Sequence, residues 1–98
     1  MTMAAAAGSV LSREVEIVNK RGLHARAAAR FVQLAEKFDA EVTVSKDSNS
    51  VGGTSIMGLM MLAAGIGSTI RIAAEGAQGE AALAALCELV ADRFGEEE

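Results

Sequence analysis

Apolar and polar positions alternate along some stretches of this chain and recur at helical spacing along others, and the two patterns interleave. From Val10 to Val18, Val15 and Ile17 fall on one face and Glu14 and Glu16 on the other, the pattern of a half-buried strand. The period then changes. Ala25 to Phe38 is rich in alanine, and Phe31, Leu34, Ala35 and Phe38 recur at helical spacing, before Asp39 and Ala40 turn the chain. Glu41 to Lys46 returns to alternation through Val42 and Val44, and Asp47-Ser48-Asn49-Ser50 has turn-forming chemistry. A short strand over Ser50 to Gly52 completes a hairpin. Ser55 stands where an N-cap belongs, ahead of an apolar run from Ile56 to Ala64 that Gly65 and Gly67 end. Ser68 to Ala74 is a strand with Ile70 and Ile72 inward and Arg71 outward. The last helix is expected over Gly79 to Phe94, with Leu83, Leu86, Cys87 and Val90 as its apolar face, and Glu96 to Glu98 as a solvated tail. The order β-α-β-β-α-β-α predicts an α+β fold with helices on one face of a mainly antiparallel sheet. The pattern does not rank the possible strand orders.

The middle helix departs from simple amphipathicity. Ile56, Met57, Leu59, Met60, Met61 and Leu62 leave it almost no polar face, yet a domain of this size can cover only one side of it. Leu59, Leu62 and Ala63, with Ile66 beyond, are expected inward. Ile56, Met57, Met60 and Met61 then remain partly exposed, and a methionine-rich patch suits a surface that fits several partners. A core helix with loosely packed methionines is the competing reading.

Composition narrows the function classes. At 98 residues and 10.1 kDa the chain is one domain with one core. Its net charge of −4 and its three aromatic residues, all Phe, argue against a nucleic-acid partner. A single cysteine makes no internal disulfide, which points to a reducing cytoplasm, and Cys87 shares a face with core residues. No apolar run reaches the length of a membrane span. Met1 to Ser9 lacks the basic region and length of a signal peptide, so residues 1–9 are expected to be a loose lead, 10–95 the domain and 96–98 an acidic tail. Neither a metal-site spacing, a Ser-His-Asp arrangement nor a phosphate-binding glycine motif is readable.

One stretch runs against the acidic background. Lys20, Arg21, Arg26 and Arg30 fall in a window free of Asp and Glu, around His24, the only histidine. Gly22 supplies a free backbone before the helix starts, which puts His24 at or next to the N-cap, where unpaired amides and the positive dipole end make an anion site. A cation in the first helical turn opposes the dipole, so Arg26 calls for a bound phosphate or similar anion. Imidazole is a competent nucleophile, and Arg26 is placed to pair with the charge of a transferred phosphoryl group. A surface histidine with a capping role is the plain alternative.

Gly22-Leu23-His24-Ala25-Arg26, followed by Ala28, resembles the active-site motif of the HPr phosphocarrier family of the bacterial phosphotransferase system. Thr54-Ser55-Ile56-Met57-Gly58-Leu59-Met60 resembles that family's regulatory-serine helix. The two motifs and the element order cover nearly everything after the first nine residues. One position departs: Ala27 follows Arg26 where the family usually has Pro, and the chain contains no Pro. Proline prearranges an early helical turn, but Ala is the best helix former, so the helix is still expected.

The resemblance implies an open-faced sandwich with strand order 1-4-2-3. It implies that an exposed His24 takes phosphate from enzyme I, through Nδ1, and passes it to enzyme IIA-type acceptors, as a carrier with a transient phosphohistidine and no resident metal or cofactor. Arg26 would stabilise the phosphate. Ser55 would be the regulatory site, modified by an HPr kinase/phosphorylase. Arg21, Arg30, Ile56, Met57 and Met60 would line the partner interface of a cytoplasmic monomer that neither binds nucleic acid nor inserts in membranes. Two other functions stay open: a regulatory phosphoprotein of a nitrogen-type branch without sugar transport, and a small anion-sensing domain.

Overall fold

The computed structural model describes residues 10–98, so the lead assigned to residues 1–9 lies outside the described residues. The elements are β1 (Leu11–Glu16), α1 (Ala25–Ala35), β2 (Glu41–Lys46), β3 (Asn49–Gly52), α2 (Ile56–Met61), β4 (Thr69–Glu75), α3 (Gly79–Ala91) and a 3-10 turn, Arg93–Gly95. The sheet is antiparallel throughout with order β1-β4-β2-β3. In β4 the register alternates one buried face, Ile70, Ile72 and Ala74, with an outward face that includes Arg71. The helices cover the first face alone, where Phe31, Leu59, Leu86, Val90 and Phe94 are fully buried against Val44 and the β4 residues. On the open face Arg71 meets Glu14 across β1 and β4 at 3.0 Å, an exposed pair of the kind that contributes about 1 kcal/mol or less.

The three helix ends differ from the periodicity, each for a local reason. The first helix stops at Ala35 because Lys37 and Phe38 donate to Leu34 and Ala35, tightening the last turn to three-residue spacing. The middle helix stops at Met61, and Ala63 takes a positive φ of 53°. That left-handed residue swings the chain off the helical phase. Ala64 is buried, but Ala63 and Ile66 face solvent, Ile66 at 61% exposure, against the expected inward placement of both. The last helix ends at Ala91, yet Phe94 still reaches the core, because Arg93 and Phe94 both adopt positive φ, 58° and 55°, and turn the chain back. Cys87 is only partly buried. That burial pushes its thiol up, with Arg13 partly offsetting it.

Candidate functional site

The loop before α1 is shaped by Gly22, whose φ is +69°. A Cβ there would lie 2.6 Å from the Ala64 carbonyl oxygen, so only glycine fits. The neighbouring Leu23 N–H donates to that same oxygen at 2.9 Å. The loop carrying His24 is thus pinned to the segment that leaves α2.

His24 is the N-cap of α1, in extended conformation, and its side chain makes no capping hydrogen bond. The first intrahelical bond runs from Ala28 N–H to the His24 carbonyl at 2.8 Å. The amides of Ala25 and Arg26, two exposed residues, therefore precede any intrahelical partner and remain open to an anion. Ala27, standing where proline was the expectation, is fully buried under a helix that begins on schedule.

The imidazole is occupied elsewhere. His24 Nε2 lies 2.5 Å from Glu96 Oε2, with 24% of the histidine side chain and 15% of the glutamate side chain exposed. In place of an exposed histidine and a wholly solvated tail, His24 meets Glu96, while Glu97 and Glu98 stay exposed. Asn19, fully buried, donates through Nδ2 to the Gly22 carbonyl at 2.8 Å and to Glu96 Oε1 at 3.1 Å. Burial alone would raise the Glu96 carboxyl, but the hydrogen bonds from His24 and Asn19 and the charges of His24 and Arg21 outweigh it, leaving the group below its ordinary value.

The predicted basic cluster does converge. Lys20, Arg21, Arg26 and Arg30 line one open cleft of about 290 Å³, shared with Gly95 and Glu96 to Glu98. Arg21 and Arg26 are exposed. Arg30 instead turns inward and donates to the Phe94 carbonyl, and Lys20 N–H donates to the Glu98 carbonyl. The tail also partly neutralises the cluster through Glu98, whose carboxylate lies 3.6 Å from Lys20 Nζ. Sequence reading missed Asn19 and Glu96. The one available signal was Phe94, an apolar position in phase with Val90, which anchors the chain two residues before Glu96.

Ser55 is the N-cap of α2, its hydroxyl oxygen accepting from Gly58 N–H at 2.9 Å. Beyond it Ile56, Met57, Met60 and Met61 are exposed, Met57 at 72% and Met61 at 77%, while Leu59 and Leu62 face the core. The exposed apolar face expected from the sequence is present.

A family model described as "PTS HPr component phosphorylation site" matches residues 11–92. The phosphocarrier protein HPr of Cupriavidus necator is 49% identical over 89 residues, covering 91% of this chain and 100% of that protein. The phosphocarrier protein NPr of Shewanella violacea is 45% identical over 86 residues, 88% of this chain and 94% of its own. Among solved structures, HPr from Thermoanaerobacter tengcongensis superimposes with a TM-score of 0.85 at 45% identity, over 90% of this chain and 99% of that one.

Proposed function

The chain belongs to the HPr family of phosphocarrier proteins of the phosphotransferase system, and we propose that His24 carries the phosphoryl group, taking it from enzyme I and passing it to enzyme IIA-type acceptors. One observation carries this reading: His24 caps an eleven-residue helix without using that helix's free amides, and its partner Glu96 lines a cleft shared with Lys20, Arg21, Arg26 and Arg30. The open amides and Arg26 supply the charge neutralisation on which phosphoryl transfer chiefly rests, and the partner completes the in-line arrangement. Ser55 serves as the regulatory site, where an HPr kinase/phosphorylase would add a dianion beside the apolar face that partners cover. Among the described residues no helix is long and apolar enough to cross a membrane, and a cytoplasmic setting is part of the proposal.

Incubation with enzyme I and phosphoenolpyruvate should give an acid-labile, alkali-stable label on the wild-type protein and none on His24→Ala. Label retained by His24→Ala would overturn the assignment. The likeness to an NPr as well as to an HPr gives the nitrogen-regulatory branch a specific claim. Offering the labelled protein to acceptors of both branches decides between them.

A further inference from the structure

We propose that Glu96 is a positioning residue for phosphoryl carriage at His24, a role that rests on the carrier reading above. Its carboxylate holds a proton on Nε2, and so presents Nδ1 as the ring nitrogen with a free lone pair. The contact supports this. A carboxylate only accepts hydrogen bonds, and at 2.5 Å a proton must lie between Oε2 and Nε2. The depressed ionisation of Glu96 agrees with a carboxylate anion there.

The contact is built rather than casual. The second carboxylate oxygen accepts from Asn19, a fully buried side chain that also holds the Gly22 carbonyl. The backbone reaches this arrangement through Arg93 and Phe94, two left-handed non-glycine residues in succession. Such conformations persist where the surroundings over-determine them. Here Phe94 is buried in the core, its carbonyl accepts from Arg30, and Glu96 N–H donates to the Arg93 carbonyl at 2.9 Å. The strained turn seats Phe94 in the core and brings Glu96 back onto His24.

The chemistry then balances without a proton leaving the ring. The Nδ1 lone pair bonds to the phosphorus of the donor as the donor's own bond to phosphorus breaks, its electron pair leaving with the donor. The neutral ring becomes an imidazolium bearing a phosphoryl group, and the Nε2 proton stays against Glu96. On delivery the N–P electron pair returns to Nδ1 as the acceptor's nucleophile bonds to phosphorus, and the neutral ring is restored. Glu96 thus stabilises a cation that exists only while phosphate is aboard. Lys20, Arg21 and Arg26 face the same cleft and serve the phosphoryl oxygens, while Arg30 is engaged with the tail.

The test combines ring nitrogen-15 NMR, at a pH where the imidazole is neutral, with the rate of phosphoryl uptake from phosphorylated enzyme I. Wild-type protein should show the Nε2–H tautomer alone, and Glu96→Ala a mixture of both. Uptake should fall about tenfold in Glu96→Ala and in the similarly shaped Glu96→Gln, since a charge-assisted hydrogen bond is lost in each. A wild-type ring protonated at Nδ1 would overturn the proposal. So would unchanged tautomer and rate in both variants, while the wild-type protein still carries phosphate. Failure of the wild-type protein to take up phosphate would instead overturn the carrier reading beneath it.

Discussion

Replacing Gly22 with Ala should destabilise the domain by about 3 kcal/mol, the sum of three local effects. With φ at +69°, a Cβ costs about 1–2 kcal/mol in the left-handed region, and the loss of unfolded-state freedom returns about 0.4–1 kcal/mol of that. The new atom would stand 2.6 Å from the Ala64 oxygen and 2.8 Å from Gly65 Cα, both backbone atoms that cannot swing aside. Relieving such an overlap costs about 1–3 kcal/mol. Any shift also stretches the bond from the buried Leu23 N–H to that same oxygen, which adds about 1 kcal/mol if it breaks. For a domain of this size each kcal/mol lowers the melting temperature by about 4–8 °C, so a fall of about 12–24 °C is expected. Gly67→Ala is the control. Its φ is +88°, but nothing lies within 4 Å of the place its new methyl group would take, so it carries the backbone penalty without the overlap. Urea unfolding of both variants, with m unchanged, measures the difference. If the two fall within about 1 kcal/mol of each other, the pinning of the His24 loop to the end of α2 is not what holds it.

Arg26→Ala should slow phosphoryl uptake while leaving the melting temperature nearly unchanged, and Arg26→Lys should restore part of the rate, because Lys offers a point charge instead of a planar fork; equal rates for the three proteins would make Arg26 a bystander. Ser55→Ala should lose about 1 kcal/mol with the Gly58 N–H bond, measured by thermal melting. Ser55→Asp should keep the fold yet slow phosphorylation of His24, and an unchanged rate would leave Ser55 as a cap alone. Glu96 is held below its ordinary 4.5 in the folded state, so the unfolded chain binds its proton more readily and stability rises with pH through that window. The stability that wild type holds over Glu96→Gln should be full above about pH 4.5 and vanish as pH falls through the lowered value. A gap that widens on acidification would contradict the contact.

The helix start at Ala25 and the His24 position were legible because their causes are local: a glycine, an alanine-rich run and a cluster of cations. β1, β2 and β4 were legible as alternation, β3 as the return of a hairpin, and Ser55 as a cap by its place before an apolar run. Periodicity failed where one residue resets the phase. The left-handed Ala63 turns Ile66 outward, and the paired turn at Arg93 and Phe94 bends the tail back. Asn19 and Glu96 meet across most of the chain, and no spacing rule relates residues so far apart. Arg30 reads as one more surface cation because its acceptor, the Phe94 carbonyl, is placed by that same turn.

The strand order also fixes when the parts of the molecule can come together. Among the described residues β4 is the only neighbour of β1 and the inner neighbour of β2, so Leu11 waits for Ala74 and Val42 for the same residue. Of the pairings in the sheet, only the β2–β3 hairpin closes a short loop. The rest must bear the entropy of bringing distant segments together, which places this mixed domain below helical bundles in folding speed and above all-β folds. During synthesis the histidine, its helix and the hairpin emerge before the strand that unites them. Glu96 comes later still. The ring therefore meets its carboxylate last, and a chain released early carries His24 with neither a sheet beneath its helix nor a partner for its Nε2.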